Sequence, residues 1–210
     1  MTTAPERTAV APRIGVLALQ GDVREHLEAL AALGIAAAEV RTIAQLDDVD
    51  GLISPGGEST TIARLLLIFD MHAPLRDRIA AGMPVWGTCA GAILLAERAP
   101  DLDRPTLGLM DMLAERNAYG RQVDSFEVDL DITGLDGGPL RAVFIRAPRL
   151  AEPGPGVEVL ARLEDGSIAA CRQGHMLATA FHPELTTDGR LHAYFLAMTE
   201  EALAAARASR

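Results

Sequence analysis

The order in which apolar runs and helical patterns follow one another constrains this chain more than any other feature. "IGVLAL" (Ile14 to Leu19) is a continuous apolar run ending near Gly21, the form of a strand buried on both faces. From Val23 the period changes: Val23, Leu27, Leu30 and Ala31 fall on one helical face, and Gly34 ends the helix. "GIAAAEV" and "GLIS" read as two more short strands. After "SPGGEST", Ile62, Leu65, Leu66 and Phe69 follow the i, i+3, i+4, i+7 spacing of a helix, with Ser59 or Thr60 as its N-cap. Pro74 is expected to open the next helix and Gly82 to close it. "PVWG" is a strand and "AGAILLA" a helix start. Strands alternating with helices at this spacing imply an α/β fold, three-layered, with a mostly parallel sheet and helices on both faces.

The second half is patterned differently. "QVDSFEVDL" alternates as a hairpin strand does, and "RAVFI", "VEVLARL", "SIAACRQ" and "HMLATAF" are short strands split by Gly and Pro turns. "EPGPG" (Glu152 to Gly156) reads as a loop insert, and Leu191, Tyr194, Phe195 and Met198 share a face of a closing helix. No repeat and no long linker interrupts the chain. We expect residues 1–12, rich in Thr, Ala and Pro, to be a loose tail, and residues 13–210 to form a single domain.

A length of 210 residues, 49% of them hydrophobic, is enough for one sizeable core. The net charge of −10 argues against a nucleic-acid footprint, which needs clustered Lys and Arg. Two cysteines without close spacing make no zinc ligand set and suit a reducing compartment. The first dozen residues lack the apolar core of a signal peptide. No stretch approaches the roughly 20 apolar residues of a membrane span. The expected location is the cytoplasm.

Chemistry concentrates in three places. "GTCAG" fits a nucleophile elbow between a strand and a helix, its glycines leaving room for a sharp turn around Cys89. A cysteine there meets exposed helix N–H groups, and Ala90 N–H would face an oxyanion formed beside it; a free cysteine is also a common core residue. Among five histidines, His182 in "FHPEL" is distinctive, because Glu184 follows two residues later. Pro183 favours an extended His182, and residues i and i+2 of an extended chain point the same way, so the carboxylate would orient the imidazole. His26 and His72 read as surface or packing residues. The third place is "SPGGEST", where consecutive glycines after a strand can present N–H groups to developing negative charge, although "PGG" is also an ordinary turn. Arg116 in "RNAYGRQ" or Arg146 in "FIRAP" could pair with a substrate carboxylate, and the residues alone do not choose between them. Cys171 reads as strand core.

Together, "GTCAG" and "HPE" resemble the class I glutamine amidotransferases, whose triad runs Cys, His, Glu in chain order. "LALQGDVREH", "PGGEST", "RNAYGRQ", "DSFE", "FIRAP" and "FHPELT" are more specifically similar to the glutaminase subunits of pyridoxal 5'-phosphate synthases, a likeness running from about Arg13 to the last helix. The resemblance implies a flavodoxin-like sheet and hydrolysis of L-glutamine to glutamate and ammonia, with Cys89 as nucleophile, His182 as acid/base and Glu184 as its orienting carboxylate. It implies glutamine contacts at Gly57, Glu58, Ser59, Arg116, Ile145 and Arg146, and an oxyanion hole at Gly57 and Ala90. It also implies no metal or bound cofactor, and a partner: a barrel-shaped synthase subunit, in a ring with one glutaminase per synthase subunit, that receives the ammonia and organises the oxyanion hole. A glutaminase feeding another synthase, a cysteine hydrolase on the same elbow, and a binding module without catalysis are the competing readings.

Overall fold

The computed structural model describes residues 11–116 and 125–208. The expected loose tail and the stretch "NAYGRQ" therefore fall largely or wholly outside the described residues. The elements in chain order are β1 (Ile14–Leu17), α1 (Val23–Ala32), β2 (Ala37–Val40), α2 (Ile43–Asp47), β3 (Gly51–Ser54), α3 (Ser59–Ile68), α4 (His72–Ala80), β4 (Val85–Thr88) and α5 (Ala90–Leu95). There follow β5 (Ala96–Arg98), β6 (Met110–Glu115), β7 (Ser125–Leu130), β8 (Leu140–Ile145), β9 (Arg149–Ala151), β10 (Glu158–Arg162), β11 (Ile168–Gln173), β12 (Met176–Thr179), a 3-10 turn (Pro183–Leu185) and α6 (Arg190–Ala208).

The main sheet runs β2-β1-β3-β4-β12-β11-β9-β6-β5, with β10 paired to β11. From β2 to β12 every pairing is parallel. The residues of β1, β3, β4 and β12 are buried throughout, as continuous apolar strands between covering helices must be. The later strands join the same sheet largely antiparallel, and β7 and β8 form a separate hairpin.

Right-handed crossovers decide where the helices go. The step from β1 to β2 moves one way along the sheet, while the steps to β3 and β4 move the other way. Helix α1 thus covers one face, and α2 to α4 cover the opposite one. Helix α6 joins α1: its Phe195 and Thr199 reach the backbone of Gly51 in β3, and its His192 meets His26 of α1. Trp86 of β4 is fully buried beneath α6 and donates its indole N–H to Thr179 Oγ1 at 3.2 Å. Among the described residues, no helix is long and apolar enough to cross a membrane.

Two helix starts differ from the expected ones. Helix α3 is capped by Glu58, not by Ser59 or Thr60: Glu58 is extended, and its carboxylate accepts from the Thr60 N–H. Helix α4 begins at His72, two residues before Pro74. Proline is accommodated there because first-turn N–H groups have no partner inside the helix. Gly34 and Gly82 end α1 and α4 in left-handed conformations, as expected.

Candidate active site

Reversal of the strand order between β1 and β3 opens a crevice at the carboxyl ends of the parallel strands, where ligands of such sheets bind. The loops after β1, β3, β4 and β12 all converge there. They enclose a cavity of about 290 Å³ lined by Gln20, Asp22, Gly57, Glu58, Ser59, Cys89, Ala90, Ile93, Arg116, Ile145, Arg146, Pro148, His182 and Leu185.

Cys89 stands between β4 and α5 at φ 46° and ψ −102°, a conformation that non-glycine residues rarely adopt. Its neighbours make the turn possible. A Cβ on Gly87 would come within 2.5 Å of the Gly91 carbonyl, and one on Gly91 would overlap the Ser54 carbonyl of β3. The small residues of "GTCAG" therefore serve the close packing of α5 on the sheet. Cys89 N–H donates to the Thr179 carbonyl at 2.8 Å, registering this turn against the end of β12.

Three residues after Thr179 comes His182, whose N–H donates to the Val143 carbonyl of β8 at 2.8 Å. That bond brings the end of the β8 strand, with Ile145 and Arg146, to the rim of the cavity. His182 Nδ1 lies 2.8 Å from Glu184 Oε1 and 3.3 Å from Asp22 Oδ2. The shorter contact is the hydrogen bond, and Asp22 stands at ion-pair distance from the same nitrogen. Cys89 lines the same cavity as the ring. Burial works against a charge on His182, but Asp22, Cys89 and Glu184 outweigh it and push its pKa up to about 12. Burial raises the Glu184 carboxyl, with the His182 hydrogen bond opposing.

The route to the His182–Glu184 contact differs from the expected one. Residues 183–185 form a 3-10 turn, not an extended strand, and Glu184 reaches back to its neighbour from within that turn. His182 itself sits at φ −108° and ψ 86°, short of the extended conformation expected before a proline. Glu184 does not line the cavity; it stands behind the imidazole, with its side chain fully buried.

Gly56 and Gly57 follow β3. A Cβ on Gly56 would collide with the His182 ring, and one on Gly57, at φ 152°, would crowd Gln20 and Gly21. Glu58 N–H donates to Gln20 Oε1 at 2.7 Å, and Glu58 Oε1 pairs with Arg116 Nη2 at 2.9 Å. Arg146 adopts φ 43°. Both candidate arginines border one cavity.

Asp22, His182 and Glu184 bring potential metal ligands within 4.8 Å of one another. An imidazolium has no free lone pair on Nδ1, and Glu184 already holds that N–H, so the set suits proton handling better than a metal ion.

The model of the SNO glutamine amidotransferase family matches residues 16–201. The chain belongs to this family. It is 60% identical over 193 residues to the pyridoxal 5'-phosphate synthase subunit PdxT of Acidothermus cellulolyticus, covering 89% of this chain and 93% of that protein. With the PdxT protein of Frankia alni it shares 58% over 187 residues, covering 88% and 94%. A crystal structure of a glutamine amidotransferase superposes with a TM-score of 0.84 at 51% identity, covering 89% of this chain and 98% of that one. The structure of PurLQS from Thermotoga maritima, at 18% identity and a TM-score of 0.61 over 92% of this chain and 97% of that one, shares the fold.

Several site residues went unassigned in the sequence. Gln20 and Asp22 lie in the loop after β1, and the rule that ligands bind at carboxyl ends beside a strand-order reversal would have pointed to them. His26 and His192 are fully buried behind Glu184, and nothing local in the sequence marks them.

Proposed function

We propose that this chain is the glutaminase subunit of a pyridoxal 5'-phosphate synthase, hydrolysing L-glutamine and passing ammonia to a partner synthase subunit. The observation that supports this reading is that Cys89 and His182 line one cavity while His182 Nδ1 lies 2.8 Å from the buried Glu184 carboxylate.

In the proposed reaction the Cys89 thiolate, with the His182 imidazolium as counter-ion, attacks the side-chain amide carbon of glutamine. The tetrahedral oxyanion is received by the N–H of Ala90, which as the first residue of α5 has no intrahelical partner, and by the Gly57 loop. Ammonia leaves poorly as an anion, so His182 protonates the nitrogen as the C–N bond breaks. The thioester is then hydrolysed by water that the neutral imidazole deprotonates, releasing glutamate and restoring the pair. Glu184 keeps the Nδ1 proton in place and stabilises the charged ring. Arg116 and Arg146 bind the α-carboxylate end, with Glu58, Ser59 and Ile145 completing the subsite. One lost oxyanion donor costs about 2.7–4 kcal/mol of barrier, so a partner that completes the hole would control the rate.

That partner is proposed to be a barrel-shaped synthase subunit, in a ring carrying one glutaminase per synthase subunit. Two assays with the partner test the proposal. Glutaminase turnover should rise when the synthase subunit is added, and Cys89→Ala should abolish synthesis from glutamine while leaving synthesis from added ammonia. Unchanged turnover, or equal loss with both nitrogen sources, would contradict it.

A further inference from the structure

His26 of α1 is a buried titratable group that the proposed reaction leaves unused. Its side chain is fully buried, as is that of Glu184. Its Nε2 lies 3.4 Å from Glu184 Oε2 and 3.2 Å from Thr88 Oγ1, while its Nδ1 lies 3.0 Å from His192 Nε2. Trp86 packs edge-on against both rings, with centroids 5.7 Å from His26 and 5.0 Å from His192, which fixes their planes. Glu184 spends Oε1 on His182. Its Oε2 is buried and has no hydrogen-bond partner among the described residues; His26 Nε2, at 3.4 Å, faces it at ion-pair distance. A buried carboxylate oxygen left bare would be costly.

Both histidines are neutral at pH 7. Burial first, then the neighbouring His192 and His182, hold His26 well below the ordinary imidazole range, and burial pushes His192 down to about 4. Each ring therefore has one N–H to give, and two arrangements are possible. If His26 carries its hydrogen on Nε2, that N–H bonds to Thr88 Oγ1 and turns its positive end toward Glu184 Oε2, and its bare Nδ1 accepts from His192 Nε2–H. His192 Nδ1, which has no partner among the described residues, is then a bare acceptor. The reverse arrangement aims a ring lone pair at the Glu184 carboxylate and strands a buried N–H at His192 Nδ1, the rarer kind of defect.

We propose that His26 is a positioning residue: its Nε2–H steadies the Glu184 carboxylate behind His182, while its contact with Thr88 ties the same ring to the residue that precedes Cys89. One imidazole thereby braces both sides of the cysteine–histidine pair. The inference rests on the reading of Cys89, His182 and Glu184 as a catalytic triad.

The first test needs no variant and no turnover. Nitrogen-15 NMR of the full-length wild-type chain should show His26 protonated at Nε2 and bare at Nδ1; the opposite tautomer would overturn the proposal. The second is kinetic, in the complex with the synthase subunit. H26Q places an amide N–H where ring Nε2 stands, whereas H26N reaches only the Nδ1 position. We expect H26N to lower kcat by about tenfold, the lower end of what a polar partner of a charged group is worth, with KM for glutamine unchanged. Its acid limb in the pH–rate profile should move to higher pH, because Glu184 loses the N–H dipole that favours its charged form. H26Q should restore most of the rate. Equal loss in both variants with the acid limb unmoved would reduce His26 to packing and overturn the proposal. Wild-type complex without glutaminase activity would instead contradict the triad reading, and the tautomer would still decide where the His26 proton points.

Discussion

The peptide N–H of Cys89 donates to the carbonyl of Thr179 at 2.8 Å, and this bond joins the strand that delivers the sulfur to the strand that delivers the imidazole. β4 and β12 are neighbouring parallel strands, so their carboxyl ends meet without any loop having to fold over. The geometry of the pair is thus set by the rigid centre of the sheet, where side-chain placement is most reproducible.

Gly91 is the counterpart of that bond on the helix side. A methyl group there would overlap the Ser54 carbonyl, which is backbone and cannot swing away. We predict that Gly91→Ala pushes α5 off β3, lowering stability by about 1–3 kcal/mol and glutaminase activity by at least tenfold. Thermal unfolding and steady-state rates measured on one preparation check both.

Glu184→Gln should keep the fold while removing the charge that supports an imidazolium. We expect kcat to fall by about 10²- to 10⁴-fold, in the range seen when the orienting carboxylate of a triad becomes an amide. KM should change little, since Glu184 does not line the cavity. A stopped assay over glutamine concentration separates the two parameters.

Arg116 now pairs with Glu58 at 2.9 Å and borders the cavity. Replacing it with Gln removes a bidentate partner for the substrate carboxylate. The expected result is a KM for glutamine raised about ten- to a hundredfold with a much smaller change in kcat. A kcat effect alone would assign Arg116 to another step.

The buried histidines also make stability depend on pH. His192 is pushed down to about 4, so in acid the unfolded chain takes up a proton that the folded chain refuses. Its contribution is present above about pH 6.5 and lost as pH falls toward 4. His26, lowered in the same direction, adds to the trend. His192→Gln should therefore show a shallower fall of Tm between pH 6.5 and 4 than the wild type, whatever its stability at neutral pH.

Much of this was legible because the signals were local. Each buried parallel strand is a short apolar run, and each glycine that ends α1 or α4 must be left-handed there. The elbow around Cys89 also reads directly from the small size of the residues beside it. What did not read locally depends on distant packing. His26 looks like one polar residue among several in "VREHLEAL", and only α6, more than 160 residues later, buries it under His192. The same holds for Glu184: its contact with His182 was expected from an extended chain, yet a 3-10 turn delivers it. Glu58 took the cap of α3 from Ser59 because the loop holds Glu58 extended, anchored by Gln20 from the loop after β1.

The most direct test of the central claim is covalent labelling of the full-length protein, in complex with its synthase partner, by an electrophilic analogue of glutamine, read by peptide mass spectrometry. We predict one adduct per chain, on Cys89, blocked by excess glutamine and slowed strongly in His182→Asn. An unlabelled Cys89, or a label on it indifferent to glutamine and to His182, would contradict the triad.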